Sequence, residues 1–169
     1  MLEATLALLA GLLVGSFLNV CIYRWPRDLS VLRPRSYCPA CQHPLAWYDN
    51  VPLVSFLLLA GRCRHCGNPI SWRYPLVELL TGALFFTTVL THGATLVALK
   101  WCVFAALLVG LIFADLEQQI LPDELTLTGI VAGLVLVMLA PPEEGVVSLL
   151  LSREWSPVSY THLTLPTKR

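Results

Sequence analysis

The sequence predicts an all-α, polytopic integral membrane protein, a helical bundle with one polar loop module. Of its 169 residues, 56% are hydrophobic and 13% are charged, whereas a soluble domain has about 45–50% apolar residues. The mean hydropathy is +0.70, and several apolar runs are long enough to cross a bilayer. A polar, cysteine-containing loop separates the first two of these runs. Together these observations exclude an ordinary soluble domain.

The first element is an apolar run over residues 4–23. Its twenty residues match the ~30 Å thickness of the hydrocarbon core at ~1.5 Å per residue. The run lacks a basic start and a small-residue cleavage site, which favours a retained helix over a signal peptide. Gly11 and Gly15 either form a helix-packing face or reflect only the frequency of glycine in membrane helices. We assign residues 1–23 to the first transmembrane helix.

The second element is the polar loop over residues 24–74. Seven of the eleven Lys and Arg residues lie in it, and Asp28 and Asp49 are the acidic residues among them. By the positive-inside rule we expect this loop to be cytoplasmic. Membrane segments tether both of its ends, so its cations fit anionic membrane lipid better than nucleic acid, and we expect no nucleic-acid partner. The apolar stretch 51–61 is too short to span and is expected at the interface or against the loop.

Two Cys-x-x-Cys pairs lie in this loop, Cys38 with Cys41 and Cys63 with Cys66, separated by twenty-one residues. Two pairs of sulfurs at this spacing can close a tetrahedral shell around one Zn²⁺ ion. The alternatives are a redox pair or two disulfides, which a reducing cytosol disfavours. Four cysteine ligands leave no open position for water, so the sequence predicts a structural rather than a catalytic zinc.

Three further apolar runs follow, at residues 75–91, 95–114 and 124–140. Their short connections predict antiparallel neighbours in a second membrane domain over residues 75–151. From about residue 152 the sequence is polar and has no apolar periodicity. We therefore treat residues 152–169 as a tail that does not belong to the fold.

Asp115 ends the third apolar run, where holding an ionisable side chain costs free energy. Such a residue is by default a functional candidate. Asp123 follows Pro122 and directly precedes the next run, and we expect it to cap that helix. Glu117 lies two residues from Asp115, and we expect it to be solvated.

Three other polar residues have a structural and a functional interpretation. Glu78, near the start of the second span, is expected to pair with Arg73, and a role in the active region is the alternative. Asn19 is expected to bond between helices, and a place near a cofactor is the alternative. Asp49, beside Asn50, is expected to serve a turn, and substrate binding is the alternative.

Several stretches of the sequence, in a fixed order, resemble one bacterial family. They are GSFLNVCIYR at 15–24, the two cysteine pairs, DNVPLVS at 49–55, GRCRHCG at 61–67, WRYPLVE at 72–78 and the segment 115–123. In these stretches the chain resembles the type IV prepilin leader peptidase/N-methyltransferases, which are polytopic inner-membrane aspartic proteases of the GxGD class.

The resemblance implies a two-step reaction at the cytoplasmic membrane face. The enzyme cuts prepilins and type II secretion pseudopilins before their apolar helix and then methylates the new amino terminus with S-adenosylmethionine. Asp115 matches the first catalytic aspartate, Asp123 belongs to a Leu-Pro-Asp element, and Gly61 matches a glycine on which methyl transfer depends.

Aspartic proteolysis requires two carboxylates that share a proton. The family supplies the second from a later Gly-x-Gly-Asp motif, which this sequence does not contain. We therefore expect an N-terminal part of such an enzyme, unable to cleave peptide bonds alone. The missing carboxylate is the best argument for a second hypothesis, a non-enzymatic membrane scaffold whose zinc ribbon docks a cytosolic partner. A thiol–disulfide membrane protein is a third.

Overall fold

The computed structural model describes residues 1–31, 33, 35–119 and 122–139, without the side chains of Trp47 and Gln118. Within these ranges the chain forms helices, two isolated β-bridges and no strand, which confirms the predicted all-α class. The α-helices are α1 (Leu2–Arg24), α2 (Val54–Leu58), α3 (Arg73–His92), α4 (Leu96–Gln118) and α5 (Asp123–Leu139).

Three of these helices are long and apolar enough to cross a membrane. The candidate spans are Leu2–Arg27, Arg73–His92 and Leu96–Glu117. They correspond to the first three predicted runs, and the chain is therefore an all-α membrane bundle.

The fourth predicted run corresponds to α5, of which 17 residues are described. Its predicted end at Ala140, the remainder of the second membrane domain to residue 151 and the tail at 152–169 lie outside the described residues. A fourth span therefore remains a prediction.

The bundle is built around the pair of helices α1 and α3, which make the most extensive contact. Helix α4 packs on both of them, and α5 packs on α4. A small core forms where α1, α3 and α4 meet, and its buried members are Leu18, Ile22, Val77, Ala106 and Val109. Leucine side chains on the outer face of α1 remain exposed, as expected for a surface that faces lipid.

Glycines of α1 set the close approach of α3. A Cβ atom at Gly15 would lie 2.7 Å from the Cα of Glu78, and a Cβ at Gly11 would lie 2.8 Å from the Cα of Gly82. Any side chain at these positions would push the two helices apart. Of the two interpretations of the glycine pair, the structure supports the helix-packing face.

One end of the bundle, which we call the polar end, carries the last turns of α1 and α4 and the first turn of α3. An ion pair between Arg73 and Glu117 joins α3 to α4 there. Our expectation that Arg73 pairs with Glu78 was therefore wrong, whereas Glu117 is exposed as expected and also pairs with Arg73. Helix α4 continues to Gln118, about one turn beyond the predicted end, which brings the carboxylate of Glu117 back onto the bundle.

Candidate metal centre and the cavity beside it

The cysteine pairs lie in two copies of one backbone turn, the first knuckle (residues 36–45) and the second knuckle (residues 61–70). In the first, the N–H of Cys38 donates to the carbonyl of His43 at 3.0 Å, and in the second the N–H of Cys63 donates to the carbonyl of Asn68 at 2.9 Å. The isolated bridges Tyr37–Pro44 and Arg62–Pro69 close the two turns at equivalent places. The repeated backbone therefore presents each pair of sulfurs in the same way.

The four sulfur atoms form one cluster. All of them lie within 4.8 Å of one another, and the sulfurs of Cys38 and Cys66, from different knuckles, are 3.8 Å apart. A Zn–S bond of about 2.3 Å in a tetrahedral site implies sulfur–sulfur distances of about 3.8 Å. All four cysteines are free thiols. This cluster can therefore hold a metal ion. Its four sulfur donors suit soft or borderline-soft metal ions such as Zn²⁺.

The thiols of the second knuckle titrate at different pH. Hydrogen bonds from the backbone N–H groups of Cys66 and His65 lower the pKa of Cys63 to about 7. The backbone N–H of Asn68 lowers the pKa of Cys66, but desolvation and the neighbouring thiols outweigh it and raise that pKa to about 11. Thiolates are the metal-binding form of cysteine, so the lowered pKa of Cys63 favours its metal-binding form.

Asp49 is bound to the second knuckle through Arg64. The guanidinium donates to the carboxylate through Nη2 at 2.7 Å and Nε at 3.1 Å, and this hydrogen bonding raises the pKa of Arg64. The side chain of Asp49 is 5% exposed. Asp49 therefore connects the short 3₁₀ turn Trp47–Asn50 to the second knuckle. This contact adds to the turn role that the sequence predicts for Asp49.

Gly61 begins the second knuckle in a left-handed conformation. Its φ is +67°, and a Cβ at this position would lie 3.0 Å from the ring of Phe56. Its N–H donates to the carbonyl of Phe56 at 2.8 Å, and the Phe56 ring meets Trp72 edge-on with 4.9 Å between centroids. Both the backbone angle and the contact favour glycine. The backbone conformation of Gly61 thus sets the direction in which the chain continues from α2 into the second knuckle.

A cavity of about 400 Å³ lies at the polar end, between α1, α3 and the two knuckles. Cys38 and Cys63 line it on the loop side, and Asn19, Glu78 and Glu117 line it on the helix side. The volume is within the range of ligand sites, about 300–1,000 Å³. The cysteine cluster therefore forms part of the wall of a cavity that is large enough for a small molecule or a peptide end.

Two buried side chains in the cavity wall form hydrogen bonds between different segments of the chain. The amide nitrogen Nδ2 of Asn19 donates to the carbonyl of Tyr74 at 3.0 Å, which confirms that Asn19 bonds between α1 and α3. Oε2 of Glu78 accepts the backbone N–H of Leu53 at 2.8 Å. The sequence did not predict the second bond, because it joins residues of the loop and α3 whose proximity only the tertiary fold creates.

Asp115 lies apart from the cluster and the cavity. It is exposed on the last turns of α4, and it is not among the residues that line the cavity. Asp123 is also exposed, as the first residue of α5, where a carboxylate interacts favourably with the helix dipole. The structure thus brings the four cysteines together beside Gly61 and leaves Asp115 free to meet other groups.

Residues 9–92 match the family model of the Bacterial Peptidase A24 N-terminal domain. No solved structure matches. A protein of Myxococcus xanthus named prepilin leader peptidase/N-methyltransferase is 54% identical over 135 residues, which cover 80% of this chain and 40% of that relative.

Relatives with the same name give a similar picture. The one from Klebsiella pneumoniae is 45% identical, covering 75% of this chain and 58% of the relative. The one from Neisseria gonorrhoeae is 40% identical, covering 77% of this chain and 54% of the relative. The chain spans about half the length of the curated relatives it matches. On these matches, and with the four-cysteine cluster inside the matched range, the chain belongs to the prepilin leader peptidase/N-methyltransferase family.

Proposed function

We propose that this chain forms the metal-binding and methyl-transfer part of an enzyme that cleaves prepilins and pseudopilins and methylates their new amino termini. The observation that carries the proposal is the four-cysteine cluster, which lies inside the range that the family model matches. The relatives are named for both activities. The cavity beside the cluster provides a place where a peptide end and a methyl donor can meet.

The metal in this proposal is Zn²⁺, bound by Cys38, Cys41, Cys63 and Cys66. Its role is structural: the loop has few buried apolar residues of its own, and structural zinc contributes on the order of 10 kcal/mol to folding. The methyl donor is S-adenosylmethionine. Gly61 acts in methyl transfer by holding the second knuckle against Phe56, so that the wall of the cavity has a fixed shape.

Asp115 is the proposed catalytic aspartate of the peptidase. Its exposure on α4 leaves its carboxylate available to a second carboxylate, which the reaction needs to activate water and polarise the scissile carbonyl. The domain limits follow the sequence: residues 1–23 and 75–151 in the bacterial inner membrane, residues 24–74 on the cytoplasmic side and residues 152–169 outside the family fold. The excess of Arg in the loop supports this orientation.

Methyl transfer is tested with the zinc-loaded chain, a precleaved pilin and isotopically labelled S-adenosylmethionine. We expect label on the pilin amino terminus, loss of transfer and of bound zinc in Cys38→Ser, and no loss in Cys102→Ser. Cys102 is the matched control because it is buried in α4, away from the cluster. Transfer that persists at full rate in a zinc-free, Cys38→Ser protein would contradict the role of the metal.

Proteolysis is tested in a chimaera in which residues 9–139 replace the matching part of the Myxococcus xanthus relative. We expect the chimaera to cleave a prepilin and Asp115→Asn to abolish cleavage while methyl transfer continues. Asp28→Asn is the control, since Asp28 is an exposed aspartate of the loop. Cleavage by the Asp115→Asn chimaera at the unsubstituted rate would remove Asp115 from the catalytic site.

A further inference from the structure

The helix side of the cavity contains an acceptor without a donor. Asn19 is 2% exposed, and its amide oxygen Oδ1 has no hydrogen-bond partner within the described part of the chain. The orientation of the amide is fixed, because Nδ2 donates to the carbonyl of Tyr74. Buried polar atoms in native proteins nearly always have a partner. An unpartnered oxygen on a residue that lines a cavity is therefore available to accept a hydrogen bond from a ligand.

A buried carboxyl group lies one helical turn away. Gly15 packs against Glu78, and Asn19, one turn further along α1, bonds to Tyr74, one turn before Glu78 on the antiparallel α3. Both side chains line the same cavity. Glu78 is 7% exposed, and it belongs to neither of the ion pairs formed among the described residues.

Four arginines line the cavity, and each of them contacts other groups of the chain. Arg27 donates to the carbonyl of Tyr23. Arg73 pairs with Glu117, and Arg64 pairs with Asp49. Arg24 donates to the carbonyl oxygens of Ser30 and Arg35. The Glu78 carboxylate is thus buried outside these ion pairs, and a buried carboxylate is costly unless it is paired. A cationic ligand would give Glu78 the charged partner that it lacks in both ion pairs of the described residues.

The loop is held against Glu78 in a strained conformation. Leu53, whose N–H donates to Glu78, has a φ of +58°, a region that residues other than glycine rarely adopt. Strain of this kind persists where the surrounding structure imposes it, and it is common at ligand sites. The bond from Leu53 fixes the position of the carboxylate group at the cavity.

From these contacts we propose that the cavity binds a primary ammonium group, held by the carboxylate of Glu78 and by Oδ1 of Asn19. An ammonium offers three N–H donors and a positive charge, which satisfies both groups at once. The inference rests on the proposed function, in which two molecules carry such a group: the new amino terminus of the cleaved pilin and the amino-acid part of S-adenosylmethionine. The chemistry at the site is the same for both.

Substitutions at Asn19 separate ligand binding from helix packing. Asn19→Leu and Asn19→Asp both lose the donor to Tyr74, so both weaken the contact between α1 and α3. Only Asn19→Asp keeps an oxygen acceptor in the cavity. We expect Asn19→Leu to weaken binding by on the order of 10-fold, and Asn19→Asp to bind at least as well as the unsubstituted protein.

At position 78 the informative variant is Glu78→Gln. Its amide oxygen still accepts the N–H of Leu53, so the loop keeps its anchor while the negative charge is lost. We expect binding to weaken by on the order of 10- to 100-fold. Glu3→Gln, at the opposite end of α1 from the polar end, is the control for removing one carboxylate. Zinc content and the thermal transition are measured for every variant to confirm the fold.

Binding is measured by calorimetry on the zinc-loaded chain in nanodiscs. The first probe is a mature pilin amino-terminal peptide, compared with its N-acetylated form, and the second is S-adenosylhomocysteine, compared with methylthioadenosine, which lacks the amino-acid part. If the free peptide binds through Glu78 and the acetylated one does not, the ammonium is that of the pilin. If S-adenosylhomocysteine shows this dependence, the ammonium is that of the methyl donor.

The proposal is overturned if neither probe binds the unsubstituted protein, or if Glu78→Gln and Asn19→Leu bind both probes with unchanged affinity. Methyl transfer measured on the same samples separates this result from failure of the proposed function. Normal transfer with unchanged binding in the variants refutes the ammonium site alone. Binding that depends on Glu78, without transfer by the unsubstituted protein, refutes the proposed function and leaves the site.

Discussion

Gln42 and Gly67 occupy equivalent places in the two knuckles, and their backbones have the same unusual conformation. Their φ angles are +55° and +70°, and their N–H groups donate to the carbonyls of Cys38 and Cys63 respectively. Glycine adopts this left-handed conformation freely, whereas a side chain makes it unfavourable by about 1 kcal/mol or more. The first knuckle therefore carries a strain that the second avoids.

We predict that Gln42→Gly stabilises the zinc-loaded loop by about 1 kcal/mol. The expected readout is a tighter apparent zinc affinity, by about 5-fold at that energy, measured in competition with a coloured chelator. Gly67→Ala should weaken zinc binding by a similar factor. A Cβ at Gly67 would meet nothing within 4 Å. Gly67→Ala therefore measures the cost of the left-handed backbone conformation without a steric clash. Equal affinities of all three proteins would contradict the strain.

Individual side-chain roles were the least predictable feature of the site. The spacing of the four cysteines predicted their cluster, because two Cys-x-x-Cys turns have few other ways to use four thiols. The partners of Arg73 and Glu117 were not predicted, since they depend on how two helices lie side by side at one end of the bundle. The available signal was topological: both residues flank apolar spans at the same predicted membrane face.

At the scale of elements, the helix pair α1 and α3 depends on the small residues of α1. Gly15 allows the backbone of α3 to come so close that no Cβ fits between the helices. In a bilayer, such close van der Waals packing replaces the hydrophobic drive that holds soluble helices together. Gly133 of α5 has the same residue type in an open environment, with nothing within 4 Å of its Cβ position.

We predict that Gly15→Ala destabilises the bundle by about 1–3 kcal/mol, because α3 must move away to admit the methyl group. Gly133→Ala should be neutral or slightly stabilising, since alanine is the better helix former. Unfolding of both variants in mixed micelles, followed by circular dichroism, checks the difference. The same stability for Gly15→Ala and Gly133→Ala would show that the contact at Gly15 is looser than described.

The existence of the helices followed directly from the apolar runs, and their ends did not. The predicted end of the third run left Asp115 at a helix terminus, whereas α4 continues to Gln118. The reason is physical: polar residues at a membrane surface can extend a helix into water as readily as they can stop it. The sequence did not determine that α1 packs on α3, because glycines in a helix do not specify which neighbouring helix contacts them.

At the scale of the whole molecule, three apolar helices and one Arg-rich loop determine the class and the expected orientation. The cavity was not predictable, because its wall combines residues from α1, α3, α4 and both knuckles. Only the complete fold brings these segments together. The family resemblance supplied the reaction, and the structure supplied the place where it is proposed to occur.

We predict that the cysteine loop labels from the cytoplasmic side alone. After zinc is chelated, a membrane-impermeant maleimide should modify Cys41 and Cys66, which are exposed, in inverted inner-membrane vesicles and not in right-side-out spheroplasts. Zinc-loaded protein should label more slowly. Modification in intact spheroplasts would place the loop outside and reverse the proposed topology.

The repeated knuckles have a consequence for how the loop assembles. Each knuckle holds half of the ligands of one ion, so neither turn has a complete coordination shell without the other. An ion bound by one knuckle alone is therefore not expected to be stable, and both knuckles should become ordered in the same binding step. The fraction of molecules with a formed cavity wall would then follow the free metal concentration as a one-site saturation curve, so the supply of metal would set how many molecules have a complete cavity.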